Sequence, residues 1–312
     1  MICAPIALFT YCRADHTHDV VESLLRNKEA AESDLYIFSD GPKTEEKRKA
    51  VEENRAYIHT ISGFKSIHIV EHEKNLGLAN SLIAGITEVV NRYGRVIVVE
   101  DDLILSPYFL QFMNEVLEKY KDENKVSAIT AYCPIKDETL PETFFMRYFH
   151  CWGWATWKRG WELMNLDTKD LLRKMRWKTK KFNLDGAINN YGMLYCQKVG
   201  LVDSWYIRLY ASFFLADKLT LFPGHSLVSN HGLDGSGTHS SKHKSGTGND
   251  GIDVNYLNRP VIVHNIPIQE DIQSYNIICD TLKAQHPKVG FHKRNYSRFK
   301  SFIRRLLYID CF

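Results

Sequence analysis

The 312-residue sequence carries 40 Lys and Arg against 37 Asp and Glu, a formal net charge of +3, which is too small a basic excess to argue for nucleic acid binding. With 44% hydrophobic and 25% charged residues it has the composition of a soluble globular protein, long enough for one large or two modest domains. Its seven cysteines are scattered and form no CxxC pair, which speaks against a zinc site or a disulfide framework and fits a reducing, cytoplasmic setting.

Ile2 to Phe9 is apolar, lacks a basic leader and is too short to span a bilayer. It reads as a first strand rather than a signal peptide, and no later stretch reaches transmembrane length. The strand, Ile6 to Thr10, is followed by a polar turn holding Arg13 and Asp15. Val20, Val21, Leu24 and Leu25 then recur at helical spacing. Leu35 to Phe38 predicts a second strand ending in Ser39-Asp40-Gly41-Pro42, all turn residues. After a charged helix over about 43–57, Ser66 to Val70 predicts a third strand. Its exit carries Lys74-Asn75-Leu76-Gly77 before a helix with Leu78, Leu82, Ile83, Ile86, Val89 and Val90 on one side.

The fourth strand is the most informative. Val96-Ile97-Val98-Val99 is an unbroken β-branched run, as expected of a strand buried on both faces, and Glu100, Asp101 and Asp102 follow it at once. Like charges at the mouth of a buried strand resist desolvation and persist only if solvent or a cation meets them. A solvated acidic turn fits the triplet as well as a hard cation such as Mg2+ or Mn2+, which carboxylate oxygens suit. Beyond it, Ser106 as N-cap and Pro107 as first helical residue predict a helix with Phe109, Phe112, Met113, Val116, Leu117 and Tyr120 on its apolar face.

Strand alternating with helix implies an α/β fold with a parallel sheet covered on both sides. Ligands of such sheets bind outside the carboxyl ends of the strands. Arg13, Asp40, Lys74, Asn75 and the acidic triplet all emerge on that edge, which argues for a nucleotide pocket. Neither GxGxxG nor GxxxxGK[ST] is present, so a dinucleotide site and a P-loop are disfavoured.

In the second half, Lys125 to Ala131 predicts a strand and Tyr132 to Glu142 a loop. Trp152, Trp154, Trp157 and Trp161 crowd the next segment. The last two read as core packing, while Gly153 marks a place where the backbone comes close to something. Leu163 to Asn190 is basic and helical. Its Lys174, Arg176, Lys178, Lys180 and Lys181 read as a solvated face, with anionic acceptors or lipid headgroups as alternatives. Val202 to Trp205 opens a helix to about residue 216, capped by Asp203 or Ser204. Pro223 to Asn230 predicts a strand, and residues 234–253 are rich in Gly, Ser, Thr, His and Lys, a composition unable to bury a core. The glycines make a helical zinc pair of His239 and His243 unlikely to form. Arg298 to Tyr308 is basic and amphipathic, suited to packing on the main domain or to lying on an anionic membrane.

From about Ala4 to His239 the chain resembles the GT-A glycosyltransferases, in particular the branch related to N-acetylglucosaminyltransferase I and bacterial polysaccharide (family 2-like) transferases. Val98 to Leu103, with Pro107 and Phe109 downstream, stands where that family has its Asp-x-Asp-type metal motif. The resemblance implies a GT-A fold, a central, mostly parallel sheet flanked by helices. It implies a nucleotide-sugar-binding half over residues 1–125, an acceptor-binding half of the same domain over 126–260, and a C-terminal extension over 261–312.

It further implies that Asp102 coordinates Mn2+ or Mg2+ while Glu100 and Asp101 face the ribose and donor sugar. Arg13 would contact the nucleotide and Asp40 would lie near the base. Lys74, Asn75 and Asn80 would line the nucleotide pocket, Trp152 or Trp154 would wall the sugar, and His239, on a glycine-hinged loop, would meet the diphosphate. An Asp-x-Trp pair followed by Arg matches Asp203, Trp205 and Arg208, giving Asp203 the role of catalytic base. The implied activity is metal-dependent, inverting transfer from a nucleoside-diphosphate sugar, UDP-linked in this reading, to a glycan or lipid-linked glycan in bacterial surface polysaccharide synthesis. Two other readings stay open: a nucleotidyltransferase acting on a sugar phosphate, and a silent glycan-binding or membrane-scaffold protein.

Overall fold

The computed structural model describes residues 3–232 and 256–285. Ile6–Thr10 forms β1, Asp34–Ser39 β2, Ser66–Glu71 β3 and Arg95–Glu100 β4, close to their predicted spans. Along β1, Ala7 and Phe9 enter one apolar cluster while Ile6 and Leu8 enter the other. Along β4, Val96 and Val98 join the first cluster and Ile97 and Val99 the second. Alternation with both faces buried demands an apolar residue at every position, so these strands read as continuous runs. These four strands are parallel, in the order β3-β2-β1-β4.

Helices cover both faces. α1 (Ala14–Leu25) and α4 (Phe109–Lys119) pack on the second cluster, with α2 (Glu45–Ile58) beside α1. α3 (Leu78–Tyr93) packs on the first with Leu82, Ile86, Val89 and Val90. α4 starts at Phe109 and not at Pro107. Ser106 still caps the preceding turn, its Oγ accepting from Tyr108 N–H at 3.2 Å and its carbonyl from Phe109 N–H at 3.0 Å, while its own N–H donates to Leu227 O at 2.8 Å and its hydroxyl to Leu257 O at 2.7 Å.

Beyond β4 the sheet becomes mixed, a feature local pattern does not predict. β8 (Trp154–Trp157) runs antiparallel between β4 and β6 (Val126–Thr130). β9 (Leu219–Pro223) is parallel to β6, and β7 (Thr143–Met146) is antiparallel at the edge, so the full order is β3-β2-β1-β4-β8-β6-β9-β7. Gly153 enters β8 with φ +58°, and a Cβ there would stand 2.9 Å from both Phe109 and Val228. This is the close approach predicted at that position. The segment predicted as one strand over 223–230 is instead the end of β9, a turn, and β10 (Val228–Asn230), which pairs antiparallel with β5 (Leu103–Leu105).

The basic stretch breaks into short helices: α5 (Lys158–Trp161), α6 (Thr168–Met175), α7 (Thr179–Phe182) and α8 (Asn190–Lys198). They surround α9 (Trp205–Leu215), and α10 (Ile272–Gln285) adds Tyr275, Ile278, Cys279 and Leu282 to the first cluster. Residues 261–285 therefore pack into the main core rather than standing apart as an extension. The basic tail over 298–308 and His239 lie outside the described residues. Among the described residues no helix is long and apolar enough to cross a membrane.

Candidate active site

The strand order reverses at β1, with β2 and β3 on one side and β4 on the other, and such a switch point opens a crevice at the carboxyl edge of a sheet. The register fixes what meets there: Thr10 pairs with Ser39 and Phe9 with Glu100. Arg13, at the start of α1, reaches across the crevice. Its guanidinium forms a hydrogen-bonded ion pair with Asp101 and lies 3.8 Å from Asp102 Oδ2. The loops that the sequence places on one rim thus touch through these side chains.

One arginine faces three carboxyl groups, and the imbalance shows in their acidities. Burial, with the charges of Asp102 and Asp101 beside it, raises the Glu100 carboxyl to about 8. Burial and Asp101 raise Asp102 to about 6, although Arg13 pulls the other way. Burial also raises Asp101 against the pull of Arg13. Arg13 itself is partly buried, which disfavours its charge, but Asp101 outweighs this and its pKa rises. A site that holds more negative charge than it can neutralise is built to receive a cation.

Asp102 is more accessible than Asp101, its side chain 26% exposed against 9%, and Glu100 is also only partly buried. The Asp102 carbonyl accepts from His231 N–H at 2.7 Å, and the β5–β10 ladder sets Asn230 opposite Leu103. A Cβ on Gly232 would stand 2.6 Å from Asp102 Oδ2 and 3.1 Å from Asp102 Cβ, so only glycine lets the returning chain pass this close. His231 and Gly232 are site neighbours that sequence reasoning missed. Their only local signal is Asn230-His231-Gly232 at a strand end, and their position depends on a pairing more than a hundred residues distant in the chain.

Among the described residues, no group of three His, Cys, Asp or Glu side chains could hold a metal alone. Mg2+ is commonly held by one or two carboxylates together with substrate phosphates, so the oxygen donor of Asp102 at an open edge fits a hard divalent ion completed by a diphosphate.

Asp40, expected near a base, has both carboxylate oxygens bonded by backbone and amide donors. It is buried, and its Oδ1 accepts from Gly41 N–H at 2.9 Å and Leu76 N–H at 2.8 Å. Its Oδ2 accepts from Gly77 N–H and Asn75 Nδ2, both at 3.0 Å. Both oxygens are taken by the 75–77 loop, so Asp40 and Asn75 shape the pocket wall instead of facing into it. Lys74 remains exposed beside this loop, while Asn80 Nδ2 donates back to Leu76 O at 2.9 Å.

The tryptophan segment also divides. Trp154 is fully buried and stacks on Trp205 with ring centroids 5.4 Å apart, so it belongs to the core and cannot wall a sugar. Trp157 and Trp161 are buried as predicted, but in different clusters, because one ends β8 and the other lies in α5. Trp152 is half-buried at the rim. It precedes Gly153, whose φ of +58° ends the β8 ladder at the Val98–Trp154 pair. Tyr132 packs edge-on against Trp152 at 4.5 Å, and His150 lies 4.3 Å from Tyr132 and 5.0 Å from Trp152. Burial pushes His150 down to about 3, so this imidazole is neutral and structural.

Asp203 precedes α9, and the cap is Ser204, whose hydroxyl accepts from Ile207 N–H at 3.3 Å. Asp203 is thereby released from the capping role that its sequence position also allows. Its carboxylate is 60% exposed and bonded by Arg208 at 3.1 Å. Tyr206, one turn on, donates to Phe149 O at 2.9 Å and reaches the ring of His150 at 6.2 Å, which ties this end of α9 to the Trp152 segment.

A search of curated proteins gave no match. Among solved structures, the chain is similar to a mannosyltransferase, PcManGT from Pyrobaculum calidifontis in complex with GDP-Man and Mn2+. That likeness has 14% identity and a TM-score of 0.42, and covers 68% of this chain and 69% of the other. It is similar to S. aureus TarS at 14% identity and TM-score 0.34, over 54% of this chain and 29% of that one. A UDP-glucose pyrophosphorylase complexed with UDP-glucose aligns at 13% identity and TM-score 0.32, over 52% and 79%. The family model described as glycosyl transferase family 2 matches residues 6–191. That span runs from the first residue of β1 into α8, through Arg13, Asp40 and the acidic triplet, and on it the chain belongs to glycosyl transferase family 2.

Proposed function

We propose that this glycosyltransferase moves a sugar from a nucleoside diphosphate donor, UDP in our reading, to a hydroxyl of a glycan, with inversion at the anomeric carbon. The observation that supports this reading is the carboxyl edge of the sheet at which Arg13 meets Asp101 and Asp102 directly after Glu100. Residues 1–125 form the nucleotide side, with Arg13, Lys74 and the loop braced by Asp40, and residues 126–260 the acceptor side, with Trp152 and Asp203. Asp102 holds a Mn2+ or Mg2+ ion, which when bound offsets the charge developing on the departing diphosphate.

Asp203 accepts the proton of the acceptor hydroxyl as that oxygen bonds to the anomeric carbon. The bond from this carbon to the diphosphate breaks on the opposite face, and the electron pair leaves with the nucleotide. Arg208 orients the Asp203 carboxylate, and Trp152, half-buried beside Tyr132 and His150, borders the sugar. Much of the remaining rate comes from holding two substrates in line. A polysaccharide or lipid-linked glycan in bacterial surface synthesis is the acceptor class we assign.

Two substitutions test the assignment. Asp102→Asn should abolish the Mn2+ dependence of UDP binding in calorimetry while the protein stays folded; UDP affinity that ignores Mn2+ in the unaltered protein sinks the site. Asp203→Asn should leave UDP binding near the original level and slow transfer by about 10²- to 10⁴-fold. Pyrophosphate release from a nucleoside triphosphate and a sugar phosphate would replace the transferase reading with a nucleotidyltransferase.

A further inference from the structure

Residues 173–181 read Arg-Lys-Met-Arg-Trp-Lys-Thr-Lys-Lys, and all of their cations are exposed. The segment is not a loose loop. Met175, which closes α6, and Phe182, which closes α7, are both fully buried. Lys178 N–H donates to Met175 O at 2.8 Å, and Phe182 N–H to Lys178 O at 3.1 Å. Trp177 therefore stands at the tip of a turn fastened on both sides, and it is 83% exposed, with the Arg176 guanidinium 4.4 Å over its ring.

A surface that is merely soluble mixes both signs of charge and hides its tryptophans. Here no acid lies between Arg173 and Phe182. Asp170 pairs with Arg173 and Lys174, and Asp185 with Lys181. Arg176, Lys178 and Lys180 have no ion-pair partner among the described residues. An indole held out among unpaired cations matches the interface of an anionic bilayer, where the ring sits at headgroup level and the cations meet lipid phosphate.

An anionic acceptor glycan would also suit the charges, but such a ligand must reach Asp203. The turn lies toward the opposite end of α9: Phe182, which closes α7, stacks on Tyr210 with ring centroids 4.6 Å apart and meets Phe214 edge-on at 5.3 Å, at the middle and in the last turn of that helix. The 11 residues of α9 separate the two ends by about 16 Å. We propose that the α6–α7 turn, with Trp177 at its tip, docks the protein on an anionic membrane surface. The proposal stands independently of the catalytic assignment.

The test uses the full chain with vesicles of phosphatidylcholine alone or mixed with phosphatidylglycerol. Co-sedimentation should require phosphatidylglycerol, and Lys178→Ala and Lys180→Ala should each weaken it about fivefold. The emission of Trp177, isolated as the difference from Trp177→Phe, should shift to the blue and become shielded from acrylamide. Trp177 emission that stays unshielded on vesicle-bound protein overturns the proposal by assigning the contact to another part of the chain. So does shielding by dextran sulfate in solution without shielding by vesicles, which would give the turn to an anionic glycan.

Discussion

Glu100 shows how the site trades stability for ligand binding. Its carboxyl is raised from 4.5 to about 8, so the folded protein holds a proton that the unfolded chain releases earlier. Stability from this group is fully present below pH 4.5 and is lost as pH rises through about 8. The ligand-free protein should therefore melt at progressively lower temperature across that window, and Glu100→Gln should flatten the trend in a pH series of scanning fluorimetry. A melting temperature of the unaltered protein that does not fall toward pH 8 would contradict the burial of charge described here. The acidic run itself was legible in the sequence, because charge directly after four β-branched residues is conspicuous. The work done by Asp40 was not, since three of its four hydrogen bonds come from a loop that follows another strand.

At the level of elements, β1 to β4 were readable because strands buried on both faces leave unbroken apolar runs. β8 was not, because Trp154-Ala155-Thr156-Trp157 is short and mixed in size, and becomes a strand only between two partners supplied from elsewhere. The same limit misplaced Trp154: aromatic crowding is visible in sequence, but the face each ring takes follows from a strand pairing. The β5–β10 ladder carries a prediction of its own. Gly232→Ala would set a methyl group against the Asp102 side chain. It should weaken Mn2+ binding about 10- to 100-fold, as loss of a supporting contact around a metal ligand does. The free-Mn2+ signal in electron paramagnetic resonance measures this directly, and unchanged affinity would show that Asp102 is not the ligand.

For the molecule as a whole, α/β class followed from strand–helix alternation, while the mixed half of the sheet did not. Helix caps illustrate the difference between local and global control. Ser204 caps α9 much as its residue type suggests, whereas Ser106 both caps the turn before α4 and ties it to Leu227 and Leu257 from the far end of the chain. The second half of the chain is laid across the first, with β8 inserted against β4 and β10 against β5.

That last pairing has a consequence for how the protein is made. A ribosome delivers Arg13, Asp40 and the acidic triplet early, and these can assemble on the emerging parallel strands. Asp102 gains its backing from residues 228–232 only after more than a hundred further residues have been translated. A nascent chain stalled before that point owns Glu100, Asp101 and Asp102 yet lacks the returning segment that backs Asp102.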